Sequence, residues 1–138
     1  LGYELMENLH FSKLYAVTAI AGIIGASGGV IAGGFIAAAS CHGRLECLGV
    51  AFLGAGLEAI LMESCVMSLS AHIGNQGRGN LLLTFLPTVI LAVPIPYLLL
   101  AGYGIAAVLA IPLFLFQAWV CVKMQLATGG GKRARRRA

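Results

Sequence analysis

The chain has 138 residues, 59% of them apolar and 10% charged, with a mean hydropathy of +0.93, which excludes an ordinary soluble domain and points to the membrane class. This length holds four spans of about 20 residues with short connections and leaves no room among them for an extramembrane catalytic domain. The net charge of +4 belongs to the tail, because five of the nine basic residues lie between Lys132 and Arg137 and all five acids are Glu.

The chain opens on Leu rather than Met, as expected if a targeting segment has been removed or the start is absent, and LGYELMENLHFSK does not resemble a retained signal peptide. Residues 1–13 set Leu5, Met6, Leu9 and Phe11 among Glu4, Glu7, Asn8, His10 and Lys13. That mixture predicts a short interfacial segment at the membrane surface. Leu14 to Ala39 carries no charge and predicts the first span. Within it Ala21, Gly25, Gly29, Gly33 and Ala37 recur at every fourth residue, a face with almost no side chain on which another helix backbone can pack closely.

Ser40 to Cys47, SCHGRLEC, is the first polar break and predicts a solvated turn. Cys41 and Cys47 can pair there if the loop faces an oxidising compartment. The four cysteines form no C-x-x-C pattern, and His42 beside Cys41 supplies too few ligands for a metal site.

The second span, Leu48 to Ile73, is apolar but carries Glu58 and Glu63. A charge near the bilayer centre costs at least about 2.5 kcal/mol, so an intramembrane acid is a functional candidate that faces protein or water. At about 100° per residue, Glu58, Met62, Cys65, Leu69 and His72 fall in one stripe and Glu63, Met67 and Ser70 in another. The two acids therefore meet different neighbours. Glu58, His72 and Glu63 are the candidate proton-path residues, with Glu58 favoured for the path and Glu63 for a structural contact.

GNQGRGN, residues 74–80, reads as a loop. A third span over Leu81 to Ala101 holds Pro87, Pro94 and Pro96, and a fourth from Ile105 to Val122 holds Pro112, Gln117 and Trp119. Proline removes a backbone donor, so kinks are expected in both, and the two together can alternatively form a broken or re-entrant hairpin. Trp119 at one end and Tyr97 and Tyr103 at the other suit interfacial anchoring. The glycines after Thr128 and the cluster Lys132, Arg133, Arg135, Arg136 and Arg137 predict a flexible tail that meets anionic headgroups. The tail lacks the interleaved aromatics of a nucleic-acid binder. With the tail inside, Lys13, Arg78 and Lys123 share the inner side and the loop of Arg44 and Glu46 lies outside.

The expected fold is thus an all-α integral membrane protein of about four transmembrane helices in a bundle. Its parts are an interfacial segment over 1–13, the helical domain over 14–126 and a basic tail over 127–138.

The run GLEAILMESCVMSLSAHIGNQGRG, residues 56–79, resembles the middle helix and following loop of the small NuoK/ND4L membrane-arm subunit family of respiratory complex I. The resemblance implies that Glu58 matches that family's membrane-embedded Glu, part of a polar proton path. Small size, a glycine packing face and buried acids together predict a subunit of a larger energy-transducing membrane complex, in a mitochondrial inner or bacterial plasma membrane. Its partners would be other membrane subunits and anionic lipids. The alternative is a small homo-oligomeric proton- or cation-coupled transporter or channel. A catalytic role is the weakest expectation, because the chain offers no nucleophile–base set, no His pair at metal spacing, no phosphate-binding loop and no cofactor motif.

Overall fold

The computed structural model describes residues 1–41, 47–102 and 104–135, which form α1 (Gly2–Ser40), α2 (Cys47–Gly74), α3 (Leu81–Ala92), α4 (Pro94–Leu100) and α5 (Gly104–Arg135). Four helical segments are long and apolar enough to cross a membrane: α1, α2, the α3–α4 unit and α5. Helix α1 packs on α2 and α5, α3 packs on α2 and α5, and α2 also meets α5. The result is an up-down-up-down bundle in which α2 and α5, running parallel, form the short diagonal.

The first residues do not form a separate surface segment. Helix α1 runs unbroken for 39 residues, about 58 Å at 1.5 Å per residue, because neither Lys13 nor Leu14 breaks or caps a helix. That is longer than the roughly 30 Å of a bilayer's hydrocarbon layer.

The glycine face of α1 is the contact with α2. A Cβ at Gly29 would lie 2.6 Å from the Ala59 Cα and the Glu58 carbonyl oxygen; one at Gly33 would lie 2.6 Å from the Ala55 Cα, and one at Gly25 2.8 Å from the Met62 carbonyl oxygen. Ala21 and Ala37 flank this contact half-buried, and the row continues instead through Gly22, Thr18 and Leu14. A strict four-residue step rotates about 40° each time, so the buried row must take a three-residue step to stay on the partner.

Beyond the α1–α2 contact, a disulfide joins Cys41 to Cys47, Cα atoms 5.5 Å apart; His42, Arg44 and Glu46 lie outside the described residues. At the opposite end α2 stops in a turn where Gln76 and Gly77 take positive φ values of 57° and 68°. Asn80 then caps α3, its Oδ1 accepting from the amides of Leu82 and Leu83 at 3.0 and 3.2 Å. The third span divides at Val93, between α3 and α4. Pro94 and Pro96 have no N–H, so Ile90 and Ala92 lose their usual donors four residues ahead.

The last helix does not end near Val122. It continues to Arg135, through Ala127, Thr128 and the glycines expected to be a flexible linker, because Thr128 and Gly129 dock on the turn before α3. The Asn80 amide donates to Thr128 Oγ1 at 2.9 Å, and Gly129 is buried beside Asn75 and Arg78. Lys132, Arg133 and Arg135 continue the helix, and Arg136 and Arg137 lie outside the described residues.

Glycine substitutions separate contact from propensity. Gly29→Ala should lower stability in detergent by about 1–3 kcal/mol by overpacking the α1–α2 contact. Gly34→Ala, where a Cβ meets nothing within 4 Å, should be neutral or stabilising by up to about 1 kcal/mol through helix propensity. Thermal unfolding of the two variants checks the contrast.

Candidate functional site

The polar residues of the interior are arranged in rows. On α2 they are Ser64, Ser68 and His72, on α3 Thr84 and Thr88, in line with the exposed cap residue Asn80, and on α5 Gln117, Cys121 and Gln125, each set at four-residue spacing. Residues four apart share a helix face, so each helix turns one polar stripe toward the other two.

The stripes meet in layers. In the layer nearest the α2–α3 turn, Gln125 Nε2 and His72 Nδ1 are 2.7 Å apart. The Thr84 hydroxyl is 2.7 Å from Gln125 Oε1 and 2.8 Å from the Asn80 carbonyl oxygen, sharing one hydrogen between two acceptors. Asn75 Nδ2 donates to the Gln125 carbonyl at 3.2 Å. Gly79 is required here, because any Cβ would overlap the Gln125 side chain.

One turn deeper, the Cys121 thiol lies between the hydroxyls of Thr88 and Ser68. Thr88 Oγ1 donates back to the Thr84 carbonyl at 2.7 Å, whereas Ser68 Oγ has no partner with hydrogen-bond geometry. One further turn back on the parallel helices α2 and α5 come Ser64 and Gln117. Gln117 Nε2 donates to the Thr88 carbonyl at 3.1 Å. Gln117 Oε1 and Ser64 Oγ, both fully enclosed, have no partner.

Next to Ser64 stands Glu63, only 2% exposed, with Oε1 unpartnered. Its Cα lies under Gly25 of α1, and Met67 one turn on packs with Ala71, Ala118 and Cys121 against Tyr15, Ala19 and Phe114. A buried carboxyl oxygen without a donor costs several kcal/mol unless a proton, water or cation satisfies it.

The interior is polar on one side of Glu63 only. Toward His72 it holds Ser64, Ser68, Thr84, Thr88, Gln117 and Gln125; toward the disulfide it holds Ala59, Ile60, Ala92, Ile95 and Ala110. No protein family, characterised protein or solved structure matches the chain.

The expected site is redistributed. The stripe of Glu58, Met62, Cys65, Leu69 and His72 is not the interior face: Met62, Cys65 and Leu69 are exposed and Glu58 is half-buried. The close α1 contact at Gly25 and Gly29 rotates α2 so that Glu63 points inward instead. His72 joins the interior through Gln125. Gln125, Thr84, Thr88 and Ser68 were absent from the sequence-derived site, although their four-residue spacing was a readable signal. Among the described residues no three His, Cys, Asp or Glu side chains converge as a metal cluster.

The layer at His72 predicts a measurable coupling. Gln125→Leu removes the side-chain partner of His72 Nδ1 and one acceptor of the Thr84 hydroxyl and should cost about 1–3 kcal/mol. In a double-mutant cycle with His72→Phe, the combined loss should fall short of the sum by about 1 kcal/mol, read from denaturation in detergent.

Proposed function

We propose that the chain is a small four-span integral membrane protein that carries a proton or monovalent cation to Glu63 along a polar half-path opening at its basic face. The one-sided interior carries this reading: polar layers lead from His72 to Glu63 and apolar packing closes the far side. Polar side chains inside a membrane protein are costly and mark ion or proton pathways when they line up toward an acid. The prolines of the third and fourth spans would supply local kinks beside this path.

The charge distribution supports an orientation. Lys13, Arg78 and Lys123 lie at the His72 end, where Lys123 Nζ sits 5.0 Å from the Phe11 ring centroid and 5.7 Å from that of Trp119. The positive-inside rule makes this the inner, matrix or cytoplasmic, face. The disulfide at the other end suits an oxidising outer compartment. The basic helix end beyond Gly131 would then meet anionic lipid at the inner surface.

In this reading the protein is a non-catalytic subunit of a larger energy-transducing membrane complex of respiratory type. The likeness of residues 56–79 to the NuoK/ND4L family, which matches Glu58 to that family's acid, motivates that placement; the choice of Glu63 as the path acid rests on its burial instead. The broad exposed apolar surface of α1, from Val17 to Ile36, suits lipid and neighbouring membrane subunits. A second reading is favoured by one observation: the half-path is built wholly from this chain's helices. A self-contained homo-oligomeric proton- or cation-coupled transporter needs no more than that for its binding site.

Reconstituted vesicles test the half-path. Acid-driven proton uptake should fall at least about tenfold in Glu63→Gln, as expected for loss of the acid in a relay, and persist in Glu58→Gln. Unchanged uptake in Glu63→Gln would remove Glu63 from the path. Co-purification in mild detergent decides between the two readings: recovery with stoichiometric partner subunits favours the complex, and a stable homo-oligomer favours the transporter. Topology has its own check. Without reductant, Cys41 and Cys47 should resist a membrane-impermeant maleimide added from outside; after mild reduction both should react.

A further inference from the structure

The deepest polar layer has an unbalanced set of groups. Ser64 Oγ, Gln117 Oε1 and Glu63 Oε1 are all oxygens, all buried and all without partners. The third helix contributes Ala92 at this level, one turn beyond Thr88, and Pro96 denies the Ala92 carbonyl its donor four residues ahead. The one amide nitrogen here, Gln117 Nε2, is already committed to the Thr88 carbonyl. Among the described residues at this level the Ser64 hydroxyl is the one uncommitted donor, so the acceptors of Glu63, Gln117 and Ala92 outnumber it.

We propose that this layer is a binding site for a dehydrated alkali cation, held by Glu63 with oxygens of Ser64, Gln117 and the Ala92 backbone. The inference rests on the half-path reading of Glu63. Three features select the cation class. Hard oxygen donors without sulfur or imidazole suit alkali and alkaline-earth ions rather than transition metals. The one carboxylate balances a single positive charge, and a divalent ion would leave a buried net charge, which is strongly unfavourable. The position, where helix α3 gives way to α4 in the middle of the span, matches the general tendency of interrupted membrane helices to offer free carbonyls to cations. The polar layers of Cys121 and Gln125 give access from the inner face, and Ala59, Ile60, Ile95 and Ala110 block exit on the other side.

The test uses the full chain purified in detergent, with sodium chloride exchanged for choline chloride at constant ionic strength. The wild type should bind radioactive sodium saturably, and its unfolding temperature should rise with sodium as mass action requires. Glu63→Gln should lose both effects, Ser64→Ala should weaken sodium binding about tenfold, and Glu58→Gln should retain both. The proposal is overturned if the folded wild type unfolds at the same temperature in sodium and choline and binds no sodium, the result expected of a layer filled by water. Retention of sodium binding in a folded Glu63→Gln overturns it equally. Proton uptake separates this failure from failure of the half-path: uptake that needs Glu63 but shows no sodium binding removes only the cation, and loss of both results removes both.

Discussion

The close approach of α1 to α2 at Gly25, Gly29 and Gly33 determines which face of α2 turns inward. With no side chain on α1 at these positions, the backbones at Ala55, Ala59 and Met62 come within van der Waals distance, and α2 has no freedom to rotate about its own axis. That orientation places Glu63, Ser64, Met67 and Ser68 inside and leaves Met62, Cys65 and Leu69 outside. In lipid the hydrophobic effect does not drive helices together, so close packing of small residues and internal hydrogen bonds must do so. The glycine contact supplies the packing, and the polar stripes of α2, α3 and α5 supply the bonds.

Those stripes obey a second constraint. Helices α2 and α5 run parallel, so equal steps along each keep their side chains at a common level. His72 with Gln125 and Ser68 with Cys121 set the register, and Ser64 with Gln117 follows from it. Within α2, α3 and α5 satisfaction declines with depth: the buried side-chain atoms of the layer at His72 are bonded, those of the next are partly bonded, and the layer at Glu63 holds unpaired oxygens. Thr18 Oγ1 of α1 is a further buried hydroxyl without a partner. Buried polar groups are normally paired. The orphaned Glu63 carboxyl is therefore the observation on which the proposed half-path rests.

Much of the architecture is legible in the chain itself. Uncharged stretches and their separating loops mark four helices, and the four-residue glycine row marks the α1 face. The acids of the second span mark the helix that carries the buried carboxyl. Which of Glu58 and Glu63 is enclosed was not legible, because angular sorting of one helix gives relative positions and not the absolute rotation, which α1 imposes. The 1–13 boundary was missed because polar residues in that stretch suggested a surface segment while nothing in it stops a helix. The continuation of α5 past Thr128 was hidden because glycine argues for a linker until the contact of Gly129 with the α2–α3 turn is seen. The Thr, Ser and Gln stripes were present in the sequence at helical spacing, but their meaning depends on three helices facing one another.

The register of α2 against α5 at the level of Glu63 is the point on which this account turns. Thiol bridging measures it directly, in a background with Cys65→Ser and Cys121→Ser. A short bifunctional thiol reagent should link Ser64→Cys to Gln117→Cys and should leave the pair Ser64→Cys with Leu113→Cys unlinked. Preferential linkage of Ser64→Cys to Leu113→Cys, a slip of one turn, would contradict the layered interior.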